Sequence, residues 1–446
     1  MKHPFKAFLD IRKGEWALSL LMFFYFFLVI TSFWILKPIK KSVFIGFYDI
    51  AGFNLSGWHL NASQAELIAK ILNMIVAFMA VIVFTWLSRR YHRQQLTVIF
   101  GLFCIIAYAI YSQVINEPSP FVVWTFYLYG DLFNTLMVAT FFAFLNDSVT
   151  PEAAKRLYGL IVLGGVIGGA FGTLVLRTLI DSISFSVWIY ICLVVSVVII
   201  LVAVAAGSLV TKKPMDIHTA QEPEPISKIK KNTNPALEGA RLVFRSRYLL
   251  SIVLIVGLYE IASTTLDFQF TATIAYYLDG DAITRQLSTM YLIQNWAAMF
   301  IQFFLTSLIM TRLGLKFALL VLPVAIILGS TAYFLFPVLW IGSFLVPIDN
   351  SFHYSINQSA KETLYTVTTR EEKYKAKAFI DMFINRFAKA IAVGVSLTIT
   401  TIFTDFSSIR WISLFTILVV LIWAFAAGNA GSEFQNKYDS GTSRRR

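Results

Sequence analysis

TKKPMDIHTAQEPEPISKIKKNTN, from Thr211 to Asn234, is the longest polar break in a chain that is 57% hydrophobic and 14% charged. Its Pro, Lys and Glu content marks a solvated linker. On both sides, apolar runs of about 20 residues recur, the length that crosses a bilayer core about 30 Å thick. A soluble chain of 446 residues needs far more polar surface than this composition supplies. The reading is therefore an all-α polytopic membrane protein. Twelve spans are expected, at about 15–37, 64–88, 95–115, 120–146, 156–180 and 185–210 before the linker. After it they fall at about 247–277, 284–311, 315–335, 337–366, 374–403 and 406–429. The expected organisation is a six-helix bundle over 1–210, a cytoplasmic linker over 211–240, a second six-helix bundle over 241–430 and a cytoplasmic tail over 431–446.

The net charge of +12 is distributed as membrane insertion requires, which argues against nucleic acid as a partner. Arg89, Arg90 and Arg93, then Lys155 and Arg156, then the linker lysines, fall in even-numbered connections. Arg312 and Lys316, Arg370 to Lys377, and Arg444 to Arg446 continue the series. By the positive-inside rule both termini are cytoplasmic. Cys104 and Cys192 each sit inside an apolar run, which speaks against a disulfide framework or a metal site. The polar start, MKHPFKAFLDIRKGE, and the long first span match neither a cleaved leader nor an organelle transit peptide. A bacterial cytoplasmic membrane is the expected location, with the bilayer as the chain's main partner and a monomer as its state.

Charged side chains inside the spans are the next signal, because each costs roughly 3 kcal/mol near mid-bilayer. In the tenth span Asp349, His353, Asn357 and Lys361 recur every four residues, with Tyr365 next. That spacing keeps them near one helix face over about 18 Å. A polar seam that only glues helices together is the bland alternative. The seventh span carries Glu260, Thr264, Asp267 and Thr271; the fourth carries Asp131, Asn134 and Thr135. The eleventh carries Asp381, Asn385 and Lys389 on one face with Arg386 beside it, where an intrahelical ion pair is an equal reading. The first span ends in WILKPIKKSVF, so Lys37, Lys40 and Lys41 lie against the orientation bias. Either they snorkel to the headgroups, or a bend at Pro38 turns at least Lys40 into a central pathway. Lysines at such places suit a phosphate or carboxylate ligand. The acids suit proton coupling or neutralisation of an empty site.

GGVIGGAFG, Gly164 to Gly172, lies in an apolar helix with no preceding strand and no lysine, so it reads as close helix packing rather than a phosphate loop. The chain presents no nucleophile arrangement, no metal-ligand cluster and no nucleotide-hydrolysis motif, so no enzyme and no cofactor are expected. Twelve spans halved by a charged loop are the layout of the major-facilitator architecture, in which two bundles rock around a midplane site.

KETLY (Lys361–Tyr365), followed by KAKAFIDMFINRFAK (Lys375–Lys389), resembles the KE-x-x-Y and K-x-K-A pattern of the nucleotide transporter family. These are the ATP/ADP translocases of plastids and obligate intracellular bacteria, a major-facilitator-related group. FLNDSVTPEAAKRLYGLI (Phe144–Ile161), GLYEIASTTLDFQF (Gly257–Phe270) and ILKPIKKSV (Ile35–Val43) are similar to further segments of that family. The resemblance implies that Lys40, Asp131, Glu260 and Lys361 carry function. Two departures stand out: Lys41 follows Lys40 where the family places an acid, and Asp131 stands where it places Glu. The expected function is alternating-access transport of a nucleotide or related phosphorylated anion, by exchange or with protons. Lys37, Lys40, His353, Asn357 and Lys361 are the expected substrate-binding residues. Asp131, Glu260, Asp349, Asp381 and Arg386 are the expected coupling or charge-balancing ones. The alternative is a proton-coupled major-facilitator transporter of another small solute.

Overall fold

The computed structural model describes residues 15–49, 52–55, 57–149, 151–212, 241–368, 376–403 and 405–443. The central linker over 213–240, the charged connection over 369–375 and the terminal arginines lie outside them. Helix α1 is Trp16–Tyr48, followed by a two-stranded hairpin of β1 (Phe53–Leu55) and β2 (Trp58–Leu60). Then come α2 (Ala62–Ser88), α3 (Arg93–Val114), α4 (Pro120–Ser148), α5 (Pro151–Leu179) and α6 (Phe185–Lys212). After the linker follow α7 (Arg247–Tyr277), α8 (Asp281–Phe300), α9 (Leu315–Leu335), α10 (Leu339–Phe352) and α11 (Gln358–Leu364). The chain ends with α12 (Lys377–Phe379), α13 (Asn385–Ile402) and α14 (Arg410–Ser443). The hairpin pairs Phe53 with Leu60 around Gly57, whose positive φ of 89° suits glycine. No alternating pattern announces it in the sequence. Helix α14 continues to Ser443, so the expected tail from 431 begins as an extension of this helix.

Nine helices among the described residues are long and apolar enough to cross a membrane. The expected eighth, tenth and eleventh spans are helical but divided by wide π turns, and none of their α-helical pieces is both long and apolar enough to be counted: those of the tenth are too short, while α8 and α13 are long enough but too polar, so the count of twelve is not established. These turns are Ile301–Thr306 and Ile309–Leu313 after α8, His353–Asn357 after α10, and Ile380–Ile384 after α12. Such turns occur often at functional sites. Outward-facing Phe78, Ile106, Leu201 and Phe425 are exposed, which is expected of helix faces turned to lipid.

Two compact units emerge. The first holds the described residues of Met1–Ala51, Ala69–Ser227 and Gly280–Leu292. Within it α1 is the central helix, packed on α4, α5 and α6, while α3 packs on α4 and α6. The second holds those of Gly52–Ile68, Lys228–Asp279 and Ile293–Arg446. There α14 packs on α7 and α9, and α7 also meets α10 and α13.

The glycine run of α5 has the packing role expected of it. Gly168 faces the carbonyl of Phe27 so closely that an added Cβ lies 2.5 Å from that oxygen, and Gly172 faces Thr31 at 2.8 Å. Gly164 meets Phe23 in the same way. Positions on both helices rise together by four, so α1 and α5 run parallel in fixed register, and Thr31 Oγ1 donates to the Gly168 carbonyl at 3.2 Å. The obstacles are backbone atoms, which cannot step aside. Gly168→Ala is therefore expected to destabilise by about 1–3 kcal/mol, and Gly168→Leu to remove folded protein. Size-exclusion profiles of detergent extracts check this; a normal monodisperse peak for Gly168→Leu contradicts it.

Candidate functional site

The lysine-rich end of α1 shows how the first unit holds a buried charge. The helix runs unbroken through Pro38, whose missing N–H leaves the Trp34 carbonyl without its helical donor. One turn on, Lys40 Nζ lies 2.5 Å from Asp131 Oδ1 on α4, with the lysine 5% and the aspartate 43% exposed. The ammonium also donates to the Tyr127 carbonyl at 3.4 Å and sits 4.5 Å from the Tyr127 ring centre. Asn73 of α2 donates to the second oxygen of Asp131 at 2.5 Å. Gly130 completes the arrangement: a Cβ there lies 2.5 Å from Lys40 Cδ, so only glycine leaves the lysine stem its path across α4. Lys37 is half-buried among rings, with Nζ 4.6 Å from Trp34 and 4.9 Å from Tyr291. Two cations thus stand one turn apart, one paired with a carboxylate and one set against aromatic faces.

The second unit carries the polar stripe of α10 and α11. On a plain α-helix each four-residue step rotates the face by about 40°. The π turn at His353–Asn357, at roughly 4.4 residues per turn, rotates it about 30° back. The turn therefore holds Asp349, His353, Asn357 and Lys361 in line better than the α-helix that the sequence suggests. Asp349 is buried and accepts from Ser263 of α7 at 2.5 Å. The His353 ring stacks on Tyr259 of α7, with centroids 4.2 Å apart and planes at 4°. Asn357 Nδ2 lies 3.2 Å from His353 Nδ1. With the amide donating, the ring carries its proton on Nε2.

Several polar groups in this unit stay open among the described residues, and three of them lie on or beside the stripe. The buried Asn357 Oδ1 has no donor and the buried Gln294 Nε2 no acceptor. Gln294 is otherwise engaged, since its Oε1 accepts from Asn350 at 3.1 Å and its carbonyl from Ser351. Lys361 is half-buried and has neither a hydrogen bond nor an ion pair among the described residues. Buried polar atoms are rarely left this way unless something else completes them.

Glu260, the acid of α7, pairs with Lys389 of α13 at 3.4 Å rather than with Lys361. Glu362 pairs with Lys377 at 2.6 Å, and that ammonium lies 5.3 Å from the Tyr365 ring. The neighbours Lys361 and Glu362 therefore separate, as the 100° step between them requires. Arg386 is half-buried on α13; Asp381 belongs to the π turn before it, with its side chain outside the described residues. Among the described residues no group of three or more His, Cys, Asp or Glu is arranged to hold a metal.

Sequence reading misses Asn73, Tyr127, Gly130, Ser263 and Tyr259, which hold the singled-out charges in place. It also passes over Glu66 and Lys70, which share a face of α2 with Asn73 at helical spacing. A scan of charges within every span, α2 included, finds those two.

A helical membrane protein with this chain path has the fold of secondary transporters. Solved structures at low identity share it: a single-residue mutant of the nucleoside transporter NupG is 14% identical with a TM-score of 0.65, over 93% of this chain and 99% of that one. A bacterial homologue of the human lysosomal transporter Spinster, in an inward-facing conformation, is 13% identical with a TM-score of 0.63, over 96% and 99%. The Major Facilitator Superfamily model matches residues 2–173 and 118–360, and the chain belongs to that superfamily. The TLC ATP/ADP transporter model matches residues 337–434, the segment that holds Lys361 and its stripe. ADP,ATP carrier protein 1 of Chlamydia pneumoniae is 21% identical over 494 residues, covering 95% of this chain and 93% of that protein. The resemblance to ATP/ADP translocases read from KETLY and its neighbours thus holds along the chain.

Proposed function

We propose that the chain carries a nucleotide, or a closely related phosphorylated anion, across the membrane by alternating access. The observation that carries this reading is Lys361, a half-buried cation with no hydrogen bond or ion pair among the described residues, on the segment that matches the ATP/ADP transporter model. A phosphate gives that ammonium the partner it lacks. Lys40 supplies a second cation, which Asp131 neutralises when no anion is present. The open Asn357 acceptor and Gln294 donor suit the polar edge of a base. Glu260 with Lys389, and Asp131 with Lys40, are the pairs through which protons or charge balance enter. In this reading both termini are cytoplasmic, the bundles are bounded at 1–210 and 241–430, and a monomer in a bacterial cytoplasmic membrane is the working unit.

Proteoliposomes reconstituted with the full chain test the proposal. Labelled ATP or ADP is expected to enter saturably, while the corresponding nucleoside does not. Internal nucleotide accelerates entry if the mode is exchange; a protonophore abolishes it if protons drive it. Uptake of a neutral solute only, with no phosphorylated anion taken up by folded protein, overturns the nucleotide reading in favour of a proton-coupled carrier.

A further inference from the structure

Helix α11, which bears Lys361, is a seven-residue piece between the π turn at His353–Asn357 and a 3₁₀ turn at Tyr365–Val367. So short a helix has few hydrogen bonds of its own, and the last carbonyls of any helix need donors from elsewhere. Local threonines serve two of them: the Thr363 carbonyl accepts from Thr366 Oγ1 at 2.7 Å, and the Tyr365 carbonyl from Thr368 Oγ1 at 2.8 Å. The Leu364 carbonyl between them is capped from another helix. It accepts from the hydroxyl of Tyr248, in the first turn of α7, at 2.7 Å. Leu364 follows Lys361 by one turn, so this bond holds the turn in which the lysine stands. Tyr248 is held in its own place: it is 2% exposed, and the Lys437 ammonium of α14 lies 4.3 Å from its ring centre. Lys437 belongs to the stretch of α14 that the sequence suggests is a tail. That stretch is packed instead, since Ala430 and Phe434 are buried and a Cβ added at Gly431 meets Lys316 Cα of α9 at 2.9 Å.

We propose that Tyr248 is a positioning residue for Lys361, with Lys437 of the α14 extension as its brace. Without the phenolic hydroxyl, the Leu364 carbonyl loses its donor at a buried place, and the last turn of α11 frays to find another. A lysine on a frayed turn keeps its charge but not its position. The anion must then order that side chain as it binds, so affinity falls while the transport cycle itself is untouched. Lys437 is exposed, so its hold on the ring is modest and its removal is the milder change. The extension of α14 thereby reaches the anion's partner through two contacts, Lys437 to Tyr248 and Tyr248 to Leu364. This rests on the reading of Lys361 as an anion-binding group and adds which residues place it.

Equilibrium binding of labelled ATP to the full chain in detergent tests the pairing of Tyr248 with Lys361. Tyr248→Phe removes the hydroxyl and keeps the ring beneath Lys437. It is expected to weaken ATP binding about five-fold, the worth of one neutral hydrogen bond. In a Lys361→Ala background the same change is expected to have almost no effect, because the lysine it positions is gone. Equal losses in the two backgrounds overturn the proposal, since a bond that only supports the fold acts with or without the lysine. Lys437→Met is expected to weaken binding about two-fold; unchanged binding overturns the brace. In proteoliposomes Tyr248→Phe raises the half-saturating ATP concentration and spares the maximal rate, and the reverse pattern overturns a positioning role. Hydrogen exchange of the amides over 358–368, read by mass spectrometry, needs no ligand and is expected to quicken about five-fold in Tyr248→Phe. Unchanged exchange overturns the cap. If the native chain binds no ATP the proposed function fails, and exchange alone still decides whether Tyr248 holds the Lys361 turn.

Discussion

Lys361→Ala is expected to lower nucleotide uptake by about 10- to 150-fold and to leave the protein folded. The size of the loss follows from removing one charge-assisted bond to phosphate, worth about 1.5–3 kcal/mol. The preserved fold follows from the structure, since Lys361 has no ion pair or hydrogen bond among the described residues that alanine breaks. Lys361→Arg keeps the charge but exchanges a compact ammonium for a planar fork, so partial uptake is expected. Lys389→Ala is the contrasting case. It strips Glu260 of its partner at 3.4 Å, and both stability and uptake fall. Initial uptake rates set beside size-exclusion profiles separate the two. Lys361→Ala protein that takes up nucleotide at the native rate removes this lysine from the site and revives the proton-coupled alternative.

The two lysines proposed to bind the anion stand in different electrostatic states. Lys40 is buried and neutralised by a carboxylate that Asn73 holds in place. Lys361 is half-buried with its charge uncommitted among the described residues. An anion therefore meets Lys361 without first displacing a protein group, whereas binding to Lys40 competes with Asp131.

Much of this was legible in the sequence because a charge inside an apolar run is conspicuous one residue at a time. Lys40, Asp131, Glu260 and the Asp349–Lys361 stripe are visible for that reason, and so is the glycine run of α5. The partners are less legible. Asn73, Ser263 and Tyr259 are ordinary residues of membrane helices, and their roles arise only from which helices pack together. That Glu260 meets Lys389 rather than Lys361 depends on the contact of α7 with α13, which no local pattern encodes. The π turn in α10 is equally silent: it adds about one residue to a turn without changing composition, yet it aligns His353 and Asn357. The hairpin at Phe53–Leu60 is too short for its alternation to register.

The pairing of Lys40 with Asp131 makes a prediction that separates structural from functional roles. Asp131→Asn removes the countercharge of a 5%-exposed ammonium and leaves it neutral acceptors alone, the amide oxygen and the Tyr127 carbonyl among them, and is expected to cost about 2–3 kcal/mol. Lys40→Met leaves Asp131 bound to Asn73 and partly hydrated, at a cost of about 1 kcal/mol. The double variant removes both charges, so its loss is expected to be smaller than the sum by about 1–2 kcal/mol. Transport divides the variants differently. Both that lack Lys40 lose it, recovered stability notwithstanding. Asp131→Asn keeps the cation and frees it from its competitor, so ATP is expected to raise its unfolding temperature more than that of the native chain. Thermal unfolding of the four proteins with and without ATP measures all of these quantities at once. If the two single losses simply add, the pair does not hold the first unit together. If ATP stabilises Asp131→Asn no more than native protein, Asp131 is not the anion's competitor at Lys40.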